Sequence, residues 1–134
     1  MGRRATGPFE VKINPQPAYN SDPAALLGRM SIDKQFHGDL DATSKGEMLT
    51  AGSVEKGSAG YVAIERVTGT LHGRSGGFSL QHTGTMNRGA PQLLVTVVPD
   101  SGTGDLEGLT GTLSIEIVSG KHSYIFEYEL PGAG

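Results

Sequence analysis

Glycine constrains this chain more than any other residue. It fills 21 of the 134 positions and cuts the sequence into short segments. Each glycine inside a helix costs about 1 kcal/mol relative to alanine, whereas turns between strands exploit its access to positive φ. Within most segments apolar and polar residues alternate with period two, as in strands with one buried face. Phe9, Val11 and Ile13 share one face of a first segment, which Asn14-Pro15-Gln16-Pro17 is expected to end. Between Leu27 and Phe36, the residues Met30, Ile32 and Phe36 share a face with Lys34, a charge on an otherwise apolar side. Residues 38–50 alternate more weakly, 52–60 read as a polar loop, and 61–68 alternate strongly. Phe78, Leu80, His82 and Met86 form another inward face, and 93–98 are apolar on both sides. Leu113, Ile115 and Ile117, then His122, Tyr124, Phe126, Tyr128 and Leu130, predict a last hairpin turning at Ser119-Gly120-Lys121. Residues 99–111 read as consecutive turns with a short helical turn at Leu106, and 22–27 is the other short helical candidate.

This count predicts an all-β chain, one domain over residues 1–134, with about eight antiparallel strands spaced roughly ten residues apart. A closed barrel is favoured over a sandwich, because glycine suits tight coiling and closure leaves no strand edge exposed. The 11 Lys and Arg are scattered among 14 Asp and Glu, giving a net charge of -3, which argues against a nucleic-acid partner. With no cysteine and its four histidines dispersed, the chain offers no disulfide, no thiolate chemistry and no metal-ligand spacing. No metal or cofactor is expected. The longest apolar run, 93–98, is too short to cross a bilayer, and the residues after Arg3-Arg4 lack the apolar core of a secretory signal. The expected location is the cytoplasm.

Three segments carry a resemblance: GYVAIERVTGTLHGRSGGFSLQH from Gly60 to His82, VVPDSGTGDLEGLTG from Val97 to Gly111, and GKHSYIFEYEL from Gly120 to Leu130. Together they resemble DUF3224, a family of small bacterial proteins known only as a domain of unknown function. The resemblance implies an eight-stranded antiparallel barrel like that of allene oxide cyclase. Barrels of that shape isomerise or cyclise apolar substrates in the lumen, which for this chain is an analogy of fold alone.

Lys34 and His82 each stand on an apolar strand face, and Glu65 shares a face with Tyr61 and Val67. If these faces line the lumen, burial lowers the pKa of the lysine and the histidine. A carboxylate beside either one becomes a workable acid and base pair. Tyr61, Tyr124 and Tyr128 are candidate contacts for a ligand, and the last two could donate hydrogen bonds to its oxygen. The competing reading makes Lys34 a rim residue, His82 a satisfied core histidine, Glu65 a solvent-facing residue and the tyrosines core filler. Asp100-Ser101-Gly102-Thr103 matches the short signature of aspartic peptidases, which need two facing carboxylates and so a homodimer here. A tight turn explains the same residues. The function expected first is binding of a small apolar ligand in or at the mouth of the barrel. The alternatives are a lumen-based isomerase or cyclase using Glu65, His82 or Lys34, an Asp100 peptidase, and a barrel that only associates through an exposed apolar strand face.

Overall fold

The computed structural model describes residues 2–132. Its strands are β1 (Arg3–Gln16), β2 (Leu27–Phe36), β3 (Leu40–Gly52), β4 (Ala59–Leu71), β5 (Arg74–Asn87), β6 (Ala90–Val97), β7 (Thr103–Gly104), β8 (Thr110–Val118) and β9 (Lys121–Glu129). Eight of them form a ring in the order β1-β2-β3-β4-β5-β6-β8-β9, with β9 returning to β1 and every pairing antiparallel. This is the closed eight-stranded barrel, with the two-residue β7 added on β5 at Gly76 and Gly77.

Closure follows from local sequence. Three tight turns, His72-Gly73, Arg88-Gly89 and Ser119-Gly120, hold both central residues at positive φ, and glycine takes the second position each time. Such turns match the twist of paired strands. The register then places one alternating set of side chains inward around the ring, because adjacent residues of a strand face opposite sides.

Two details differ from the sequence expectation. Strand β1 continues through Pro15, which stands opposite Met30. Its pairing with β9 ends at Phe9, so β1 has only β2 beside it there and the proline costs no bond on the open side. Around Leu106 the chain makes successive turns instead of a helical turn, since Gly104 and Gly108 at positive φ depart from helical dihedrals. The other candidate is a short 3-10 helix, Pro23–Ala25, capped by the Asp22 side chain and ended by Leu26 at positive φ.

The two ends of the lumen differ. Where β2, β4 and β6 finish, Phe36, Leu40, Leu71, Phe78, Phe126 and Tyr128 fill the interior. Leu106 and Leu109, both fully buried, plug that end from the loop after β6. The Phe126 ring stacks between Phe78 and Tyr128 at centroid distances of 5.7 and 5.3 Å. At the opposite end the inward positions Ile13, Met86, Leu93 and Ile117 remain 45, 40, 44 and 63 % exposed. The lumen is therefore packed at one end and open at the other.

Candidate functional site

Between the packed end and the open mouth, four neighbouring strands each contribute one polar side chain to the interior: Lys34 from β2, Ser44 from β3, Glu65 from β4 and His82 from β5. Lys34 and Ser44 are directly opposed, whereas Ser44, Glu65 and His82 stand on successive diagonals of the sheet, within reach of long side chains. Gly46 lies opposite Glu65, and a Cβ there would come within 2.6 Å of Glu65 Cα, so the glycine lets the acidic residue sit close against β3.

Glu65 is the centre of the cluster and is 0 % exposed. Its Oε1 accepts from Ser44 Oγ at 2.6 Å, and its Oε2 meets Lys34 Nζ at 2.8 Å and His82 Nε2 at 2.5 Å. Burial alone would raise its pKa. The hydrogen bond from His82, the charge and hydrogen bond of Lys34, and the Ser44 hydroxyl outweigh burial and hold it down at about 2. The Lys34 ammonium also lies over the Phe9 and Phe36 rings, 5.3 and 5.7 Å from their centroids.

An ionised Glu65 can only accept, so His82 Nε2 carries the hydrogen of that contact. In the neutral imidazole this leaves a lone pair on Nδ1, which has no hydrogen-bond partner among the described residues. No fully buried side-chain nitrogen or oxygen among them lacks a partner, so Nδ1 is not wholly enclosed although His82 is only 3 % exposed.

The open mouth holds a cavity of about 550 Å³, lined among others by Met48, Thr50, Tyr61, Gly84, Met86 and Pro91. Gly84 is the next inward position of β5 after His82. A Cβ on it would fall 2.3 Å from Tyr61 Cε1, so the missing side chain makes room for the Tyr61 ring. That ring lies 6.4 Å from the His82 ring, centroid to centroid, and joins the cavity wall to the cluster beneath it. Burial, and then the negative charge of Glu65, push the Tyr61 pKa up, which keeps its phenol protonated. Its hydroxyl has no hydrogen-bond partner among the described residues.

The structure thus brings Lys34, Glu65, His82 and Tyr61 together and sets the other candidates apart. Tyr124 and Tyr128 belong to the packed end, away from the mouth cavity, with hydroxyls already engaged. Tyr124 Oη accepts from Leu40 N at 2.8 Å and donates to His37 O at 2.7 Å, and Tyr128 Oη pairs with His72 Nδ1. Asp100 sits exposed at φ 60° in the turn that begins the plug. Its neighbours hold the plug down: Ser101 Oγ accepts from Ser79 N, and Arg66 donates to Ser101 O and Thr103 Oγ1. On the outer surface Leu49 of β3 and Val62 and Ile64 of the adjacent β4 are exposed apolar residues, as is Leu94 of β6. Sequence reading missed Ser44, whose inward position emerges only from the register of β3, and, apart from Tyr61, the cavity wall, whose short runs from β3, β4, β5 and β6 meet only in the closed barrel. Among the described residues no three His, Asp or Glu side chains form a metal-binding group.

Comparison with known proteins agrees with this architecture. A family profile described as "Protein of unknown function (DUF3224)" matches residues 5–128. No curated protein matches the chain. A crystal structure of a protein of unknown function from the DUF3224 family of Shewanella oneidensis MR-1 is similar at 49 % sequence identity, with a TM-score of 0.92 over 97 % of this chain and 98 % of that one.

Proposed function

The chain belongs to the DUF3224 family, and from the barrel it shares with that family we propose that it binds one small, largely apolar molecule in the open mouth. The observation that carries this reading is the contrast in packing along the lumen. Inward-facing side chains that would form a core at the mouth stay 40 to 63 % exposed, and one of them, Met86, lines a cavity of about 550 Å³ together with Met48, Thr50 and Tyr61. That size suits a small organic ligand, and a mostly apolar wall with a few polar groups at its base is the usual make-up of such sites. Eight-stranded barrels have room for packed side chains or one small ligand, and here the two solutions occupy opposite ends. Methionines at positions 48 and 86 give the wall adaptable surfaces.

Titration with the neutral fluorophore phenylnaphthylamine tests this directly, against low intrinsic fluorescence because the chain has no tryptophan. The expected result is saturable one-to-one binding that Met86→Trp, which fills the mouth, abolishes without unfolding the barrel. Binding that never saturates, or that Met86→Trp leaves unchanged, overturns the reading.

A further inference from the structure

We infer that the mouth is a proton-transfer site for an apolar carbonyl compound with an acidic α C–H, in which His82 Nδ1 is the base and the Tyr61 hydroxyl holds the carbonyl oxygen. The inference rests on the binding reading above and adds chemistry to it.

Two neighbouring polar groups have no partner among the described residues: the hydroxyl of Tyr61, which lines the cavity, and Nδ1 of His82, whose ring lies 6.4 Å from the Tyr61 ring and one inward position below Gly84 of the cavity wall. One donates and the other accepts. A core built only for stability satisfies such groups internally, as the hydroxyls of Tyr124 and Tyr128 show. The His82 ring is also held in one tautomer by a carboxylate that is itself fixed from both sides, by Lys34 and Ser44. Aligning an imidazole in this way is the general arrangement for a positioned base. Glu65, Lys34 and Ser44 are positioning residues, whereas His82 and Tyr61 are the catalytic pair.

The step balances without a co-reactant. The α C–H bond breaks and its proton passes to the Nδ1 lone pair. The bonding electrons form the C=C bond of an enolate, and the carbonyl π pair moves onto the oxygen, which accepts from the Tyr61 O–H. With Lys34 charged and Glu65 ionised, the cluster is neutral while His82 is neutral. After transfer its single positive charge faces the single negative charge of the enolate, and Glu65 lies against the imidazolium. Returning the proton to the same carbon gives exchange, and returning it to a conjugated carbon gives an isomer.

The test follows deuterium entry into β-tetralone, an apolar ketone with an activated benzylic α C–H, by proton NMR in deuterium oxide, with displacement of phenylnaphthylamine recorded in parallel. The wild-type chain is expected to bind the ketone saturably and to exceed the exchange given by equimolar free imidazole. His82→Gln keeps a donor for Glu65 but loses the base, and should lower exchange by about a hundredfold or more. Tyr61→Phe, on the cavity wall, should lower it by about a hundredfold while leaving the barrel folded. Glu65→Gln should reduce the rate at saturating ketone with little change in ketone affinity, a split that a purely structural role does not produce. Displacement of the fluorophore by the ketone with exchange no faster than free imidazole, or unaltered by His82→Gln and Tyr61→Phe, overturns proton transfer and leaves binding standing. Absence of saturable binding by both fluorophore and ketone overturns both.

Discussion

The packed and open ends of this barrel are built from the same strands, yet they solve opposite problems. At the packed end large inward side chains meet across the lumen, the loop after β6 inserts Leu106 and Leu109, and the tyrosine hydroxyls bond to backbone or histidine. At the open end Met86, Ile13, Ile117 and Leu93 point inward yet stay 40 to 63 % exposed, and the Tyr61 hydroxyl has no hydrogen-bond partner among the described residues. The Lys34-Glu65-His82-Ser44 cluster divides the two. Stability is thereby concentrated below the cluster, and the surface above it is left for something other than the chain itself.

The largest expected effect breaks this comparison most directly. Phe126→Ala removes a ring stacked between two others at a position 0 % exposed and should cost about 4 kcal/mol. Met86→Ala truncates an inward side chain at the mouth and should cost about 1 kcal/mol or less. Urea unfolding of both variants measures the ratio. Equal losses would mean that the mouth is a second core and not a cavity.

The dividing cluster comes next. Glu65→Gln leaves the Lys34 ammonium buried without its counter-charge and should cost about 3 kcal/mol. Acid sharpens the point. The Glu65 pKa is about 2 in the fold and about 4.3 in an unfolded chain. A depressed folded pKa stabilises the fold fully above the unfolded value and loses that contribution as pH falls towards the folded one. Between about pH 5 and pH 1 the wild type should therefore lose about 3 kcal/mol from this one residue, most of it between about pH 4.3 and pH 2. Stability measured across that window should fall less steeply for Glu65→Gln, and parallel curves would show that the carboxylate is not ionised in the folded protein.

How far this division could be read from the sequence depends on the kind of signal each part carries. Period-two alternation in Phe78, Leu80 and His82 and in Tyr124, Phe126 and Tyr128 was enough for strands and for a closed sheet. The charges at Lys34 and Glu65 and the imidazole at His82 stood out because each interrupted an apolar face. Their meeting in space depends on the ring order and on diagonal neighbours across strands, neither of which leaves a local trace, and Ser44 was hidden in a weakly alternating segment for that reason. The opposite fates of Tyr61 and Tyr124 were equally silent. Both alternate with apolar neighbours, and only the lumen end that each strand position reaches separates them. Asp100 shows the reverse, a recognisable tetrapeptide that sits in an exposed turn and whose neighbours anchor a plug.

The smallest expected effect separates those two tyrosines. Tyr124→Phe removes a hydroxyl that accepts from Leu40 N and donates to His37 O, so the buried Leu40 N–H and the His37 carbonyl lose a partner and the barrel should lose about 1 to 2 kcal/mol. Tyr61→Phe removes a hydroxyl with no protein partner among the described residues, so stability should change by about 0.5 kcal/mol or less. Urea midpoints at unchanged slope decide between them. A destabilisation of Tyr61→Phe equal to that of Tyr124→Phe would mean that the mouth tyrosine is tied into the fold after all, and the donor assigned to a ligand at the open end would be lost with it. A silent Tyr61→Phe that nevertheless weakens capture of a ketone more than of a hydrocarbon of the same shape would place that hydroxyl against the ligand's oxygen.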